Sequence, residues 1–137
     1  AREDAAAALS AGSHGSTFGG NPLAMAAANA VLDVILAPGF LEGVNKIADK
    51  LWTKLSDLAA AHPVVIEEIR GSGLMIGIKC KTDNKVLRGK LLDARMLSVG
   101  AEDNVIRILP PLTIENHHID EAIQILGDAC ARIEEAS

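Results

Sequence analysis

Residues 64–80, VVIEEIRGSGLMIGIKC, decide the fold. Val64–Ile69 and Leu74–Cys80 run apolar or alternate, with many β-branched side chains, so both read as strands. Gly71-Ser72-Gly73 lies between them as the connection. The spacing of Gly71, Gly73 and Gly77 has a superficial likeness to a dinucleotide-binding fingerprint. It lacks the strand-then-helix context and spacing that a pyrophosphate cradle needs, so these glycines read as turn and close-packing residues.

Outward toward the C-terminus, Lys85–Ala94 reads as a helix. Met96–Val99 and Val105–Leu109 read as further short strands, with Gly100–Asn104 as their turn. A final helix, capped by Thr113 or Asn116, is expected to reach about Glu134, with Ile119, Ala122, Ile123, Leu126, Ala129, Cys130 and Ile133 as its apolar set. Toward the N-terminus, Phe40–Ala61 is a long amphipathic helix in which Leu41, Val44, Ile47, Ala48, Leu51, Leu55 and Leu58 recur at steps of three and four. Pro63 stops it. Pro22–Leu36 reads as a helix ending before Pro38-Gly39; it is apolar nearly all round, which implies burial on every side by a partner subunit or another domain. Arg2–Leu9 could form a short Ala-rich helix. Together these elements make an α+β chain: a small, mainly antiparallel sheet with helices on one face, preceded by a long helix. The boundary falls near Pro38-Gly39, dividing 1–38 from 39–137.

The chain has 137 residues, 49% apolar and 23% charged, with net charge −5, the profile of a soluble globular domain. There is no run of basic residues, and aromatic residues are limited to one Trp, two Phe and no Tyr. Nucleic-acid and anionic-membrane binding are therefore not expected. The longest apolar stretch is Pro22–Leu36, interrupted by Asn29 and Asp33 and too short for a bilayer. Cys80 and Cys130 are far apart and form no CxxC pattern, so they read as reduced core cysteines of a cytoplasmic protein.

The stretch most suggestive of chemistry is 13–22, Ser-His-Gly-Ser-Thr-Phe-Gly-Gly-Asn-Pro. Ser16 and Thr17 are adjacent hydroxyls among Gly12, Gly15, Gly19 and Gly20. Asn21 is a candidate N-cap, with Pro22 at the first helical position. Glycines let backbone approach a ligand closely, and a helix N-terminus favours an anion. The loop thus reads either as a phosphate cradle or as a flexible loop before a capped helix. A second candidate is Arg107, a charge inside the apolar run Val105–Leu109. Burying a guanidinium alone is very costly, so it must be paired, ligand-facing or on an edge strand pointing to water. Its planar fork matches a carboxylate bidentately.

Three segments resemble one family. Gly12–Ala24, GSHGSTFGGNPLA, closely resembles the matching loop of class III aminotransferases that use pyridoxal 5′-phosphate; Asp103–Leu112, DNVIRILPPL, resembles their Arg-containing strand and Pro-Pro turn; Ile69–Gly77, IRGSGLMIG, is similar to their strand–turn–strand entry into the small domain. The resemblance implies the C-terminal small domain of a fold type I enzyme, with 1–38 as the tail of the large cofactor-binding domain. It implies that Thr17, with Ser16 beside it, bonds the phosphate of the neighbouring subunit's pyridoxal phosphate, and hence a homodimer. It also implies that Arg107 meets the α-carboxylate of an amino acid or 2-oxo acid substrate, or waits paired with a glutamate that lies outside this segment. In that family the Schiff-base lysine and the acidic partner of the cofactor precede the loop. Lys46, Lys50, Lys54, Lys79, Lys81, Lys85 and Lys90 all follow it, none in a Gly-rich strand-end context. The chain therefore reads as a C-terminal fragment with no catalytic residue of its own, inactive alone. A reading of another class is a non-catalytic module that binds an anion or a partner through the loop.

The remaining polar residues carry weaker readings. Arg70, at a strand end, reads as structural. His14 reads as a polar loop residue. The His117-His118 pair lacks neighbouring ligands for zinc.

Overall fold

The computed structural model describes every residue except Ala1, Ala11, Ser13, His14 and Ser137. The chain divides into two compact units, Ala1–Phe40 and Leu41–Ser137.

The first unit holds α1 (Glu3–Ala6) and α2 (Pro22–Ile35). α1 is a single turn, shorter than the expected Arg2–Leu9; none of its residues is buried, so packing does little to offset the nucleation cost of a longer helix. α2 starts where expected. Asn21 is extended and its Oδ1 accepts the Ala24 N–H at 2.9 Å, with Pro22 at the first position. The expected burial of α2 is not found within the chain: none of its residues is buried, and Leu23 is 82% exposed.

The second unit is built from α3 (Phe40–Ala61), β1 (Ile66–Ser72), β2 (Met75–Cys80), α4 (Asn84–Asp93), β3 (Val99–Ala101), β4 (Val105–Ile108) and α5 (Asn116–Glu134). The strands form one antiparallel sheet in the order β1-β2-β4-β3. Alternation sends Ile76, Ile78 and Ile106 to one face, where they join Leu51, Leu55 and Leu58 of α3, Leu87 and Leu91 of α4, and Leu126, Cys130 and Ile133 of α5 in a single aliphatic core. The helices cover that face only, and the fold class is the α+β arrangement read from the sequence.

Local chemistry fixes the details. The β1–β2 connection is tighter than expected. Ser72 pairs with Met75, leaving a two-residue turn in which Gly73 takes φ +55°, the twist that hairpins favour. Trp52 of α3 donates its indole N–H to the Gly73 carbonyl at 2.8 Å, holding the turn against the helix. β3 begins at Val99 instead of Met96. Residues 94–96 are used to end α4: Arg95 adopts φ 65° and the Met96 N–H bonds the Leu91 carbonyl at 2.8 Å. The residue capping α5 is Glu115, not Thr113 or Asn116. The Glu115 N–H bonds His118 Nδ1 at 3.3 Å, while Thr113 is enclosed in a turn closed by the Ile114 N–H on the Pro111 carbonyl. At the far end of α5, Glu134 meets His62 at 3.1 Å.

Candidate functional site

The candidate residues lie in two places, one in each unit. In the first unit the glycine loop is closed by Asn21. Its Nδ2 donates to the Phe18 carbonyl at 2.7 Å while its Oδ1 caps α2, so one side chain fixes both the loop end and the helix start. Gly20 takes φ +73° and Gly12 φ +83°, conformations that side-chain-bearing residues rarely adopt. A Cβ at Gly19 would come within 3.0 Å of the Ser16 Cβ and Oγ, so Ser16 folds over Gly19. Thr17 is exposed, as is Ser16. An exposed hydroxyl pair, positive-φ glycines and a capped helix start together suit a phosphate. These residues fit the phosphate end of pyridoxal phosphate. His14 lies outside the described residues.

In the second unit the sheet has one face free of helices, and Arg107 projects from it. β4 is a central strand, so the edge-strand reading does not apply. Arg107 is nevertheless exposed, because the face it occupies is uncovered. Its cross-strand neighbours are Gly77 on β2 and Val99 on β3. It lines a shallow cleft with Leu97, Ser98, Val99 and Leu109, three of which are exposed apolar side chains. Among the described residues no ion pair engages Arg107, whereas Arg70 and Lys79 are both engaged.

Arg70 stands opposite Gly77 on β1, so Arg70, Gly77 and Arg107 form one transverse row across three strands. A Cβ at Gly77 would meet the Val105 Cγ1 at 3.0 Å and the Arg70 Cγ at 3.5 Å, so the glycine lets the Arg70 stem lie close to the sheet. Arg70 pairs with Asp103 at 2.9 Å and with Glu68 at 3.6 Å, and Lys79 bonds the other oxygen of Asp103. Lys79 and then Arg70 hold the Asp103 carboxyl below its ordinary range. Asp103 and Asn104 occupy the β3–β4 turn at φ 60° and 56°. The sequence signal for this cluster was the Asp-Asn pair ahead of an apolar strand, a left-handed-turn combination. It could not show that Asp103 would meet two cations from strands more than twenty residues earlier.

The two cysteines are buried and unbridged. Desolvation, reinforced by Asp83, pushes Cys80 up to about 11, and desolvation, reinforced first by Glu134, pushes Cys130 up to about 12. Neither is a poised nucleophile. Among the described residues no group of three His, Cys, Asp or Glu side chains is placed to hold a metal ion, and no single helix is long and apolar enough to cross a membrane.

The chain is similar to known proteins over nearly its whole length. The Aminotransferase class-III profile matches residues 1–130. Acetylornithine aminotransferase 1 of Bradyrhizobium diazoefficiens is 50% identical over 97% of this chain and 33% of its own length. Among solved structures, ornithine delta-aminotransferase of Plasmodium falciparum superimposes with a TM-score of 0.82 at 28% identity, covering 98% of this chain and 35% of that one. A lysine aminotransferase from Mycobacterium tuberculosis superimposes with a TM-score of 0.78 at 34% identity, covering 85% and 27%. The chain thus spans about a third of the length of the curated relatives it matches. With a matching profile over 130 of its residues, the chain belongs to the class III aminotransferase family.

Proposed function

We propose that the chain supplies the phosphate-gripping loop and the C-terminal domain of a pyridoxal-phosphate-dependent transaminase, one that exchanges an amino group between N-acetylornithine and 2-oxoglutarate in arginine biosynthesis. The observation that carries the substrate is the 50% identity over 97% of this chain to a relative named for that activity. Residues 1–38 are the tail of the cofactor-binding domain and 39–137 the small domain. The protein works as a cytoplasmic homodimer, in which the exposed apolar surface of α2 is covered by the rest of the assembly.

Pyridoxal phosphate, when bound, supplies an electron sink for the bonds at the substrate α-carbon. The residues of this chain bind and orient. The Thr17 hydroxyl and backbone N–H donate to phosphate oxygens of the partner subunit's cofactor, with Ser16 beside it. Arg107 takes the substrate carboxylate through two parallel N–H···O bonds, and Leu97, Val99 and Leu109 offer apolar surface to the methylenes next to it. None of the seven lysines is assigned the covalent role.

A second reading, ornithine as the amino donor, is favoured by the likeness to the Plasmodium enzyme; succinylornithine and 4-aminobutyrate transaminases are further members of that set. The test is a comparison of amino donors on the complete, cofactor-loaded protein. A kcat/KM for N-acetylornithine at least about tenfold above that for ornithine supports the first reading, since a site built around a polar group rejects the analogue lacking it. The reverse order selects the second. In the same protein Arg107→Lys should raise the KM for 2-oxoglutarate about tenfold, because a point charge replaces the fork. An unchanged KM removes Arg107 from the site.

A further inference from the structure

Resting on that reading of Arg107, we infer that Asp103 sorts charge on the open face of the sheet: by taking Arg70 and Lys79 as its partners, it leaves Arg107 as the cation there that receives a substrate carboxylate.

Three cations, Arg70, Lys79 and Arg107, share this face at neighbouring register positions on β1, β2 and β4. Arg70 and Arg107 are two strands apart in a single transverse row, roughly 10 Å between backbones given the usual strand spacing. The position between them is Gly77, which has no side chain to screen one from the other. Arginine side chains are long enough to converge above that gap. An unpaired Arg70 would therefore compete with Arg107 for an incoming anion, or hold a carboxylate in a second pose. Asp103 removes most of this competition, since one of its oxygens meets Arg70 at 2.9 Å, closer than Glu68 at 3.6 Å, and the other meets Lys79.

Two observations separate this role from a structural one. The turn that carries Asp103 is held by its neighbour. Asn104 donates to the Cys80 and Thr82 carbonyls and accepts from the Asn84 N–H, so the turn stands without the ion pairs of Asp103. The Arg70–Asp103 pair is also open to water, with side chains 44% and 56% exposed, and an ion pair of that kind adds little to stability, whereas the Lys79 side chain is only 17% exposed. What the two pairs do fix is where each cation points. Asp103 is in this sense a positioning residue acting through Arg70 and Lys79. Asn tolerates the left-handed backbone at least as well as Asp, so Asp103→Asn deletes the charge and keeps the turn.

The test uses the complete protein loaded with pyridoxal phosphate, and glutarate as probe, a dicarboxylate with neither an amino nor an oxo group. Glutarate affinity is read by calorimetry and as competitive inhibition against 2-oxoglutarate. Arg107→Gln should weaken glutarate at least tenfold. In the double variant Asp103→Asn/Arg107→Gln, at least a threefold recovery is expected as Arg70 and Lys79 become available, without recovery of turnover. Adding Arg70→Gln should abolish that recovery. A double variant that binds glutarate as weakly as Arg107→Gln alone overturns the inference and leaves the role of Arg107 intact. If Arg107→Gln itself leaves glutarate binding unchanged, the reading of Arg107 fails, and the charge sorting fails with it. Matching melting temperatures for wild type and Asp103→Asn show that the readout reports charge and not unfolding.

Discussion

Asn104 donates its side-chain amide to the carbonyl of Cys80 at 2.7 Å, although 24 residues separate the two in the chain. The same amide reaches the Thr82 carbonyl at 2.8 Å, and its Oδ1 accepts the Asn84 N–H at 2.8 Å. One side chain thus ties the end of β2, the start of α4 and the β3–β4 turn together, three residues before Arg107. Asn104→Ala removes three hydrogen bonds and places a Cβ-bearing residue with no local hydrogen-bonding side chain at φ 56°. The expected loss of stability is about 2–4 kcal/mol by urea denaturation. Asn104→Gly relieves the backbone and should lose about 1 kcal/mol less. Equal losses in both variants would assign the cost to the hydrogen bonds alone, and no loss in either would mean the tie is not made.

The β1–β2 hairpin contains two glycines with positive φ and different surroundings. At Gly71, φ is +138° and a Cβ would sit 2.1 Å from the Met75 carbonyl oxygen, which belongs to the backbone and cannot give way. At Gly73, φ is +55° and the space is open. Gly71→Ala should therefore cost more than about 3 kcal/mol or prevent folding, whereas Gly73→Asn should cost about 1 kcal/mol or less, since Asn accepts the left-handed region. Thermal denaturation of the two variants checks the order. A milder effect at Gly71 than at Gly73 would mean that the turn can rearrange.

The cysteines give the fold an alkaline limit. Both have folded-state values raised above the ordinary 9, to about 11 for Cys80 and about 12 for Cys130. A thiol raised on folding keeps its proton where the unfolded chain has lost it. The stability it confers is thus complete below pH 9 and is lost as pH rises from 9 through 11 and 12. Two consequences are measurable. Alkylation by iodoacetamide at pH 8 should be at least about tenfold slower in the folded protein than in urea, because burial removes both the thiolate and access to it. The Cys130→Ala variant should lose stability at pH 7 through the cavity it leaves, about 1–2 kcal/mol, while its stability falls less steeply between pH 9 and 12 than that of wild type. Equal slopes would show that Cys130 ionises with little penalty in the folded state.

The legible part of this molecule was the part written in local periodicity. The long helix Phe40–Ala61 was read with both ends correct, because three- and four-residue spacing and Pro63 are local signals. The hairpin and the Asn21 cap were legible for the same reason. The start of β3 was not, since residues 94–96 are used to end α4 through bonds that no alternation pattern records. Thr17 and Arg107 stand out as candidates through motif and through the oddity of a charge within an apolar strand. Asp103 was read only as part of a motif and a turn, because its partners Arg70 and Lys79 are brought to it by the pairing order β1-β2-β4, a tertiary fact. The exposure of α2 shows a different limit: an apolar circumference states that a surface must be covered, and does not say by what.

Thr17 offers the most direct test of the loop. Thr17 and Ser16 are both exposed, but the Ser16 side chain lies 3.0 Å from where a Cβ at Gly19 would sit, so the two hydroxyls have different surroundings. A hydrogen bond to a charged phosphate contributes roughly 1.5–3 kcal/mol, so Thr17→Ala should weaken pyridoxal phosphate binding by about ten- to a hundredfold in the complete protein. Thr17→Ser keeps the hydroxyl and should stay within about threefold of wild type, which separates hydrogen bonding from loss of the methyl group. Cofactor affinity is read by equilibrium dialysis or by the visible absorbance of the bound form, with the melting temperature of the cofactor-free protein as control. If Thr17→Ala and wild type bind the cofactor equally while Ser16→Ala does not, the phosphate is held from the Gly19 side of the loop. If neither substitution matters, the grip belongs to backbone N–H groups alone, and the glycines rather than the hydroxyls define the site.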